Sequence, residues 1–142
     1  MVRARAARAL GEEGRREVIP SLIHLLEDPD DGVREATAGA LGALHATEAT
    51  AALQAAAARP DGEWARLAAG SALLDLGSTA GVEPLLNLAT EGEAKKVREG
   101  AARRLRAALP PEAEVPVDPS TGLQATAGWW AQNAASFTLA SP

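Results

Sequence analysis

Residues 33–44 read VREATAGALGAL, a run of small and aliphatic side chains with little reactive chemistry. Val33, Ala36, Thr37, Ala40, Leu41 and Leu44 fall at i, i+3, i+4, i+7, i+8 and i+11, one stripe of an α-helix. The same plan returns in VRARAARALG at 2–11, ARLAAGSALLDLG at 65–77 and VREGAARRLRAAL at 97–109. Four arginines mark it, Arg3, Arg34, Arg66 and Arg98, spaced 31, 32 and 32 residues apart. Such a period predicts a stacked helical solenoid, because one unit cannot cover its own apolar stripe and needs the next to do so.

Each of these first helices, here called A helices, is followed by a second, B helix. VIPSLIHLLED at 18–28, ATAALQAAAAR at 49–59 and GVEPLLNLATE at 81–91 align so that Leu22, Leu53 and Leu85 coincide. Pro20 and Pro84 fall in the opening turns, where a missing N–H costs nothing. Between A and B, Gly14, His45 and Gly77 occupy one equivalent position, where a left-handed residue is expected to end the helix. Between B and the next A, EDPDDG, RPDG and EGEA supply a break, and Asp30, Asp31, Asp61, Glu63 and Glu93 are placed to cap the helix that follows. The fold expected is all-α: a right-handed α-solenoid of antiparallel helix pairs with about three and a half repeats over residues 1–109, followed by an irregular tail over 110–142.

The V-R-x-x-A-A-x-x-L-G type of first helix, the P-x-L-x-x-L-L type of second helix and the Pro-Asp turn resemble the HEAT-like repeat over about residues 2–109, in the short form named after phycobilisome lyases. The resemblance implies a binding scaffold. It also implies an arginine ladder, in which Arg3, Arg34, Arg66 and Arg98 serve structure and Arg34 and Arg66 pair with Asp30 and Asp61. A bilin lyase-like subunit is a further implication of the family name, and no residue here can be assigned to that reaction.

Composition narrows the rest. Of 142 residues, 46% are hydrophobic, yet the chain has three Trp, one Phe and no Tyr, so its core is built from alanine and leucine in closely approaching helices. Without cysteine there is no disulfide, thiolate nucleophile or cysteine-based metal site, and His24 and His45 are the only histidines. No metal or cofactor is expected. The apolar run VIPSLIHLL at 18–26 is too short to span a bilayer, and MVRARAARAL does not read as a secretory signal. A cytoplasmic location is the expectation.

Periodicity stops at Pro110-Pro111, and beyond Asp118 there is no charged residue. This tail carries Trp129, Trp130 and Phe137, three of the four aromatics. It is read first as a cap burying at least one Trp against Leu105, Ala108 and Leu109, since a terminal unit has no next neighbour. The alternative makes Trp129 or Trp130 an anchor for a partner.

For catalysis, Ser21, His24 and Asp28 share a helical spacing that superficially suggests a nucleophile, base and orienting acid. Side chains alongside one another on one helix lack the strained turn and oxyanion donors of such a site, so no catalytic residue is assigned. Charge is more informative: residues 17–94 hold thirteen acids against Arg34, Arg59 and Arg66, while both ends are basic. A net charge of −5 lacks the broad positive field that nucleic acid requires. The expected function is a non-enzymatic scaffold meeting a protein partner through its B-helix face at Ser21, His24, Asp28, Asn87 and Glu91, with Trp129 and Trp130 as tail candidates. Ala55, at the His24-equivalent position, should leave a shallow spot between them. The alternative is a structural subunit or fragment of a larger assembly.

Overall fold

The computed structural model describes residues 2–139. In chain order its α-helices are α1 (Val2–Glu12), α2 (Ile19–Leu25), α3 (Asp31–Ala43), α4 (Thr50–Ala57), α5 (Glu63–Asp75), α6 (Val82–Glu91), α7 (Lys95–Ala108) and α8 (Gln124–Asn133), and no described residue forms a strand. The A helices α1, α3, α5 and α7 stack in one layer, and the B helices α2, α4 and α6 form the other. This is an α-solenoid.

Local signals place the helix ends. Gly14 (φ +67°), His45 (φ +49°) and Gly77 (φ +78°) all adopt the left-handed conformation at the A-to-B turn. After each comes a single 3-10 turn, Arg16–Val18, Thr47–Ala49 and Thr79–Gly81, before the B helix begins. Asp30 caps α3 by accepting from the backbone N–H groups of Gly32 (2.8 Å) and Val33 (3.3 Å). The helix α7 lacks a capping side chain at Ala94, and Glu63 of the preceding unit supplies one. Its two carboxylate oxygens accept from the N–H groups of Glu93 at 2.7 Å and Ala94 at 2.9 Å.

Small residues set how closely the A helices approach. A Cβ built on Gly11 would lie 2.8 Å from both Cα and Cβ of Ala40, and one on Gly42 would lie 3.2 Å from Cβ of Ala72. In the repeat register the third such pair is Leu74 with Arg104. Those side chains cannot admit the same approach, and the backbones of α5 and α7 come close at fewer positions than those of α1 with α3 or α3 with α5. The core divides at the same place. One cluster runs from Ala7 through Leu22, Leu41 and Leu53 to Leu73. The other runs from Leu74 through Leu85, Val97 and Leu105 to Trp130. Arg104 points back to α5, donating to the Ser71 carbonyl at 3.2 Å and pairing with the Asp75 carboxylate.

The tail closes over the far side of α7. Arg106, the register equivalent of Gly11 and Gly42, donates to the Pro116 carbonyl at 2.7 Å. Ala113 and Leu123 are buried, and the Thr126 hydroxyl donates to the Glu114 carbonyl at 3.1 Å. Trp130 is 6% exposed, in the cluster that holds Leu105 and Leu109, and meets Phe137 edge to face at 5.9 Å.

Two glycines on neighbouring helices test the approach argument. Gly11→Ala drives a methyl group into the Ala40 backbone and should lose about 1–2 kcal/mol, the overpacking cost less the helix-propensity gain. Gly39 is exposed with nothing within 4 Å of a built Cβ, so Gly39→Ala should gain about 0.5–1 kcal/mol. Urea midpoints moving in opposite directions are the expected result.

Candidate functional site

Long charged side chains tie the units together, and their pairing differs from the ladder the family resemblance implies. Arg34 is 2% exposed and passes its own turn. Its Nη1 donates to the carbonyls of Asp28 (2.8 Å) and Pro29 (3.3 Å), and its Nη2 reaches Asp61 of the next unit at 3.1 Å. Asp30 is not its partner, because that carboxylate is spent on the α3 cap. Arg3 likewise reaches forward to Asp28 at 2.9 Å. Arg98 donates to the carbonyls of its own turn, Gly92 at 2.6 Å and Glu93 at 2.8 Å.

Arg66 breaks the series. It makes no ion pair with Asp61, and its Nε, like that of Arg34, is buried without a partner. The turn before α5 is one residue longer from its Pro to its Arg than the turn before α3, and the extra residue, Gly62, sits at φ +69°. A Cβ there would lie 2.7 Å from Nη2 of Arg34, so the arginine of one unit fixes the glycine of the next. Asp61 is held by Arg34 and Arg59, and Glu63 by the start of α7, so neither turn acid is free to pair with Arg66.

These contacts shift two carboxylates. Asp28 is held below the ordinary carboxylate range, first by the Asp30 N–H and then by Arg3. Asp61 is lowered first by its hydrogen bond to Arg59, with Arg34 adding attraction.

On the B-helix layer the surface is a succession of recesses. The first, about 320 Å³, lies between α2 and α4 and is lined by Ile23, His24, Glu27, Ala52, Ala55 and Arg59 among others. Here is the shallow spot expected at Ala55. The second, about 430 Å³, lies between the turn before α5 and the C-terminal end of α6, with Trp64, Arg66, Asn87 and the acids Asp31, Asp61, Glu63, Glu91 and Glu93 in its walls. The third, about 320 Å³, separates α6 from α8, and Asn87 and Glu91 line it too.

Of the nominated residues, Ser21 and His24 are exposed on α2, and Asn87 and Glu91 are exposed one turn apart on α6. Asp28 does not belong with them. The helix α2 ends at Leu25, so Asp28 lies in the turn, bonded to Arg3 and to the Asp30 N–H. The apparent Ser21, His24, Asp28 set is therefore not assembled. Trp130 is committed to the core, whereas Trp129 is half-buried and packs on Phe137 at 5.6 Å. Trp64, 44% exposed at the rim of the acidic cleft, was missed. Its register equivalents are Gly32 and Lys96, off the apolar stripe, and a Trp at such a position is the signal that could have found it.

Stacked helix pairs presenting one recessed face define the protein as an α-solenoid repeat protein. A family model described as HEAT repeats matches residues 1–74, just over half of the chain, and the protein belongs to the HEAT repeat family. The match is to HEAT repeats in general and not to the phycobilisome-lyase type. No curated protein matches the chain. HEAT repeats commonly mediate protein interactions and are typically not enzymes. No described helix is long and apolar enough to cross a membrane, and no group of described residues has the makings of a metal site.

Two measurements check the inter-unit contacts. Arg34→Ala, which strips three backbone and side-chain acceptors of a buried donor, should cost about 2–3 kcal/mol, against less than about 1 kcal/mol for the unpaired Arg66→Ala. Lowered native pKa values mean that the unfolded chain takes up protons first on acidification. The stability from Asp28 and Asp61 is thus complete above about pH 4 and lost as pH falls below it through the native values. Urea midpoints of Asp28→Asn/Asp61→Asn should start lower and fall less steeply in that acid range.

Proposed function

We propose that the protein is a cytoplasmic, non-enzymatic interaction scaffold whose B-helix face receives a protein partner carrying basic side chains. The supporting observation is the row of recesses along α2, α4 and α6, with exposed His24 beside the gap at Ala55, then Asn87 and Glu91 between the next two. In the second recess Asp61 is already paired with Arg34 and Arg59 and Glu63 caps α7, and the remaining Asp31, Glu91 and Glu93 carboxylates beside Arg66 favour a cationic segment, while Trp64 adds an aromatic face on which an arginine or lysine can rest. Ser21 extends the same exposed row, and Trp129 at the end of the solenoid is a peripheral contact. Catalysis is not needed by this reading: Ser21 and His24 are both exposed, and neither side chain makes a hydrogen bond among the described residues.

The reading rests on accessible surface, so blocking that surface is the test. Ala55 and Asn87 are exposed, and Ala55→Arg and Asn87→Arg fill the first two recesses without touching the core. The immobilised full-length chain should capture a stoichiometric basic neighbour from its source cells. Either substitution should cut capture at least tenfold, and so should raising salt from about 0.1 to 0.5 M. Capture indifferent to both changes, or turnover abolished by His24→Ala, would overturn the scaffold reading.

A further inference from the structure

The last arginine of the ladder is held as its siblings are but lacks their anion. Arg3 and Arg34 each place Nη2 on a carboxylate of the following turn: Asp28 at 3.4 Å, 25 residues on, and Asp61 at 3.1 Å, 27 residues on. By the same steps Arg66 arrives at Glu91 and Glu93, which share its recess. From Arg98 they arrive at Leu123 and Ala125, with Gln124 between them, in a tail that has no charged residue beyond Asp118. Nη1 of Arg98 is fixed on the Gly92 and Glu93 carbonyls, as Nη1 of Arg34 is fixed on those of Asp28 and Pro29. Its Nε and Nη2 have no hydrogen-bond partner among the described residues.

Where its siblings meet a carboxylate, Arg98 lines a recess of about 330 Å³ between the tail and the helices α6 and α7. Both sides of this recess are built by the chain itself. Thr90 and Arg98 form one wall, Gln124 and Ala127 the other, and Pro119 and Leu123, both buried, give it an apolar floor. No acid lines it. Asp118 stands outside, its carboxylate accepting from the Ser120 N–H at 2.9 Å and the Ser120 hydroxyl at 2.7 Å, and the Thr90 hydroxyl donates to the Leu86 carbonyl at 2.8 Å. Arg98 is therefore the one charge in the walls. A guanidinium already oriented by two backbone acceptors loses little freedom when its remaining N–H groups meet a carboxylate, whose two oxygens match the planar fork. The floor decides what that carboxylate is attached to, since a recess of this size with apolar walls and one placed polar group suits a small organic molecule.

We propose that this recess binds a monocarboxylate with a short aliphatic body, free or as the terminal residue of a peptide. The carboxylate sits on Nε and Nη2 of Arg98, and the aliphatic part lies on Pro119, Leu123 and Ala127. The occupant stands in for the acid that the next repeat unit would supply and ties the tail to α6 and α7, so it stabilises the tail's closed position by mass action. The scaffold reading is not required for it.

The test follows the amide of Ala127 and the Nε–H of Arg98 by nuclear magnetic resonance in the nitrogen-labelled full-length chain. Isocaproate, N-acetyl-glycyl-leucine, isocaproamide and inorganic phosphate are titrated separately at constant ionic strength. Saturable shifts with at least one of the two carboxylates are expected, and which of them binds tells a free acid from a peptide end. The neutral isocaproamide should bind at least tenfold more weakly than isocaproate. Arg98→Gln and Ala127→Phe should each weaken the carboxylate at least tenfold. Ala127 is exposed, so Ala127→Phe fills the recess without disturbing the core and decides the matter if circular dichroism shows Arg98→Gln unfolded. Failure of both carboxylates to saturate, phosphate or the amide binding as tightly as they do, or affinity unchanged in Ala127→Phe would overturn the proposal. Failure of partner capture by the B-helix face leaves this result standing, so the two readings fail independently.

Discussion

Close approach between A helices is the constraint on which the rest of the structure depends. A helix pair made of alanine and leucine buries little area per side chain, so it gains stability only if its neighbours come near enough to exclude water along their whole length. Gly11 against Ala40 and Gly42 against Ala72 permit that approach at the first two interfaces. Where Leu74 and Arg104 replace such a pair, the helix backbones come close at fewer positions and the core splits into two clusters. The second cluster is then completed by the tail, through Leu123 and Trp130.

Polar contacts serve the same stacking. Arg34 lies buried between units, bonded to the carbonyls of one turn and the carboxylate of the next. Glu63 caps the start of α7 in the next unit. Each contact ties one repeat to its successor, so the turns are registered along the stack. Packing commits one face of each A and B helix to the stack and leaves the opposite faces exposed. The proposed reading puts recognition on a face whose side chains are free of structural duty, and Asp28 is the counterexample: its carboxylate sits on that row by spacing and in the scaffold by contact.

Much of the fold was legible because it depends on local rules applied repeatedly. The apolar stripe beginning at Val33 fixed the helices, and the equivalent positions of Gly14, His45 and Gly77 fixed where they end, since only a left-handed residue closes a helix there. The exposed row His24, Asn87 and Glu91 followed from the same register. What was missed lay at single departures from the repeat. Trp64 replaces a small or charged residue off the stripe, and one added residue in the turn before α5 changes what Arg66 can reach.

By itself the sequence determined the helical repeat, its turn conformations and the division between an acidic middle and basic ends, because these follow from short-range spacing and from counting. Tertiary structure alone decided which carboxylate each arginine meets, that Glu63 caps α7, and that Trp130 is core while Trp129 keeps some surface. Long side chains extend past their own turn to a neighbouring unit. Their partners depend on how that neighbour is offset in space, which no spacing along the chain records.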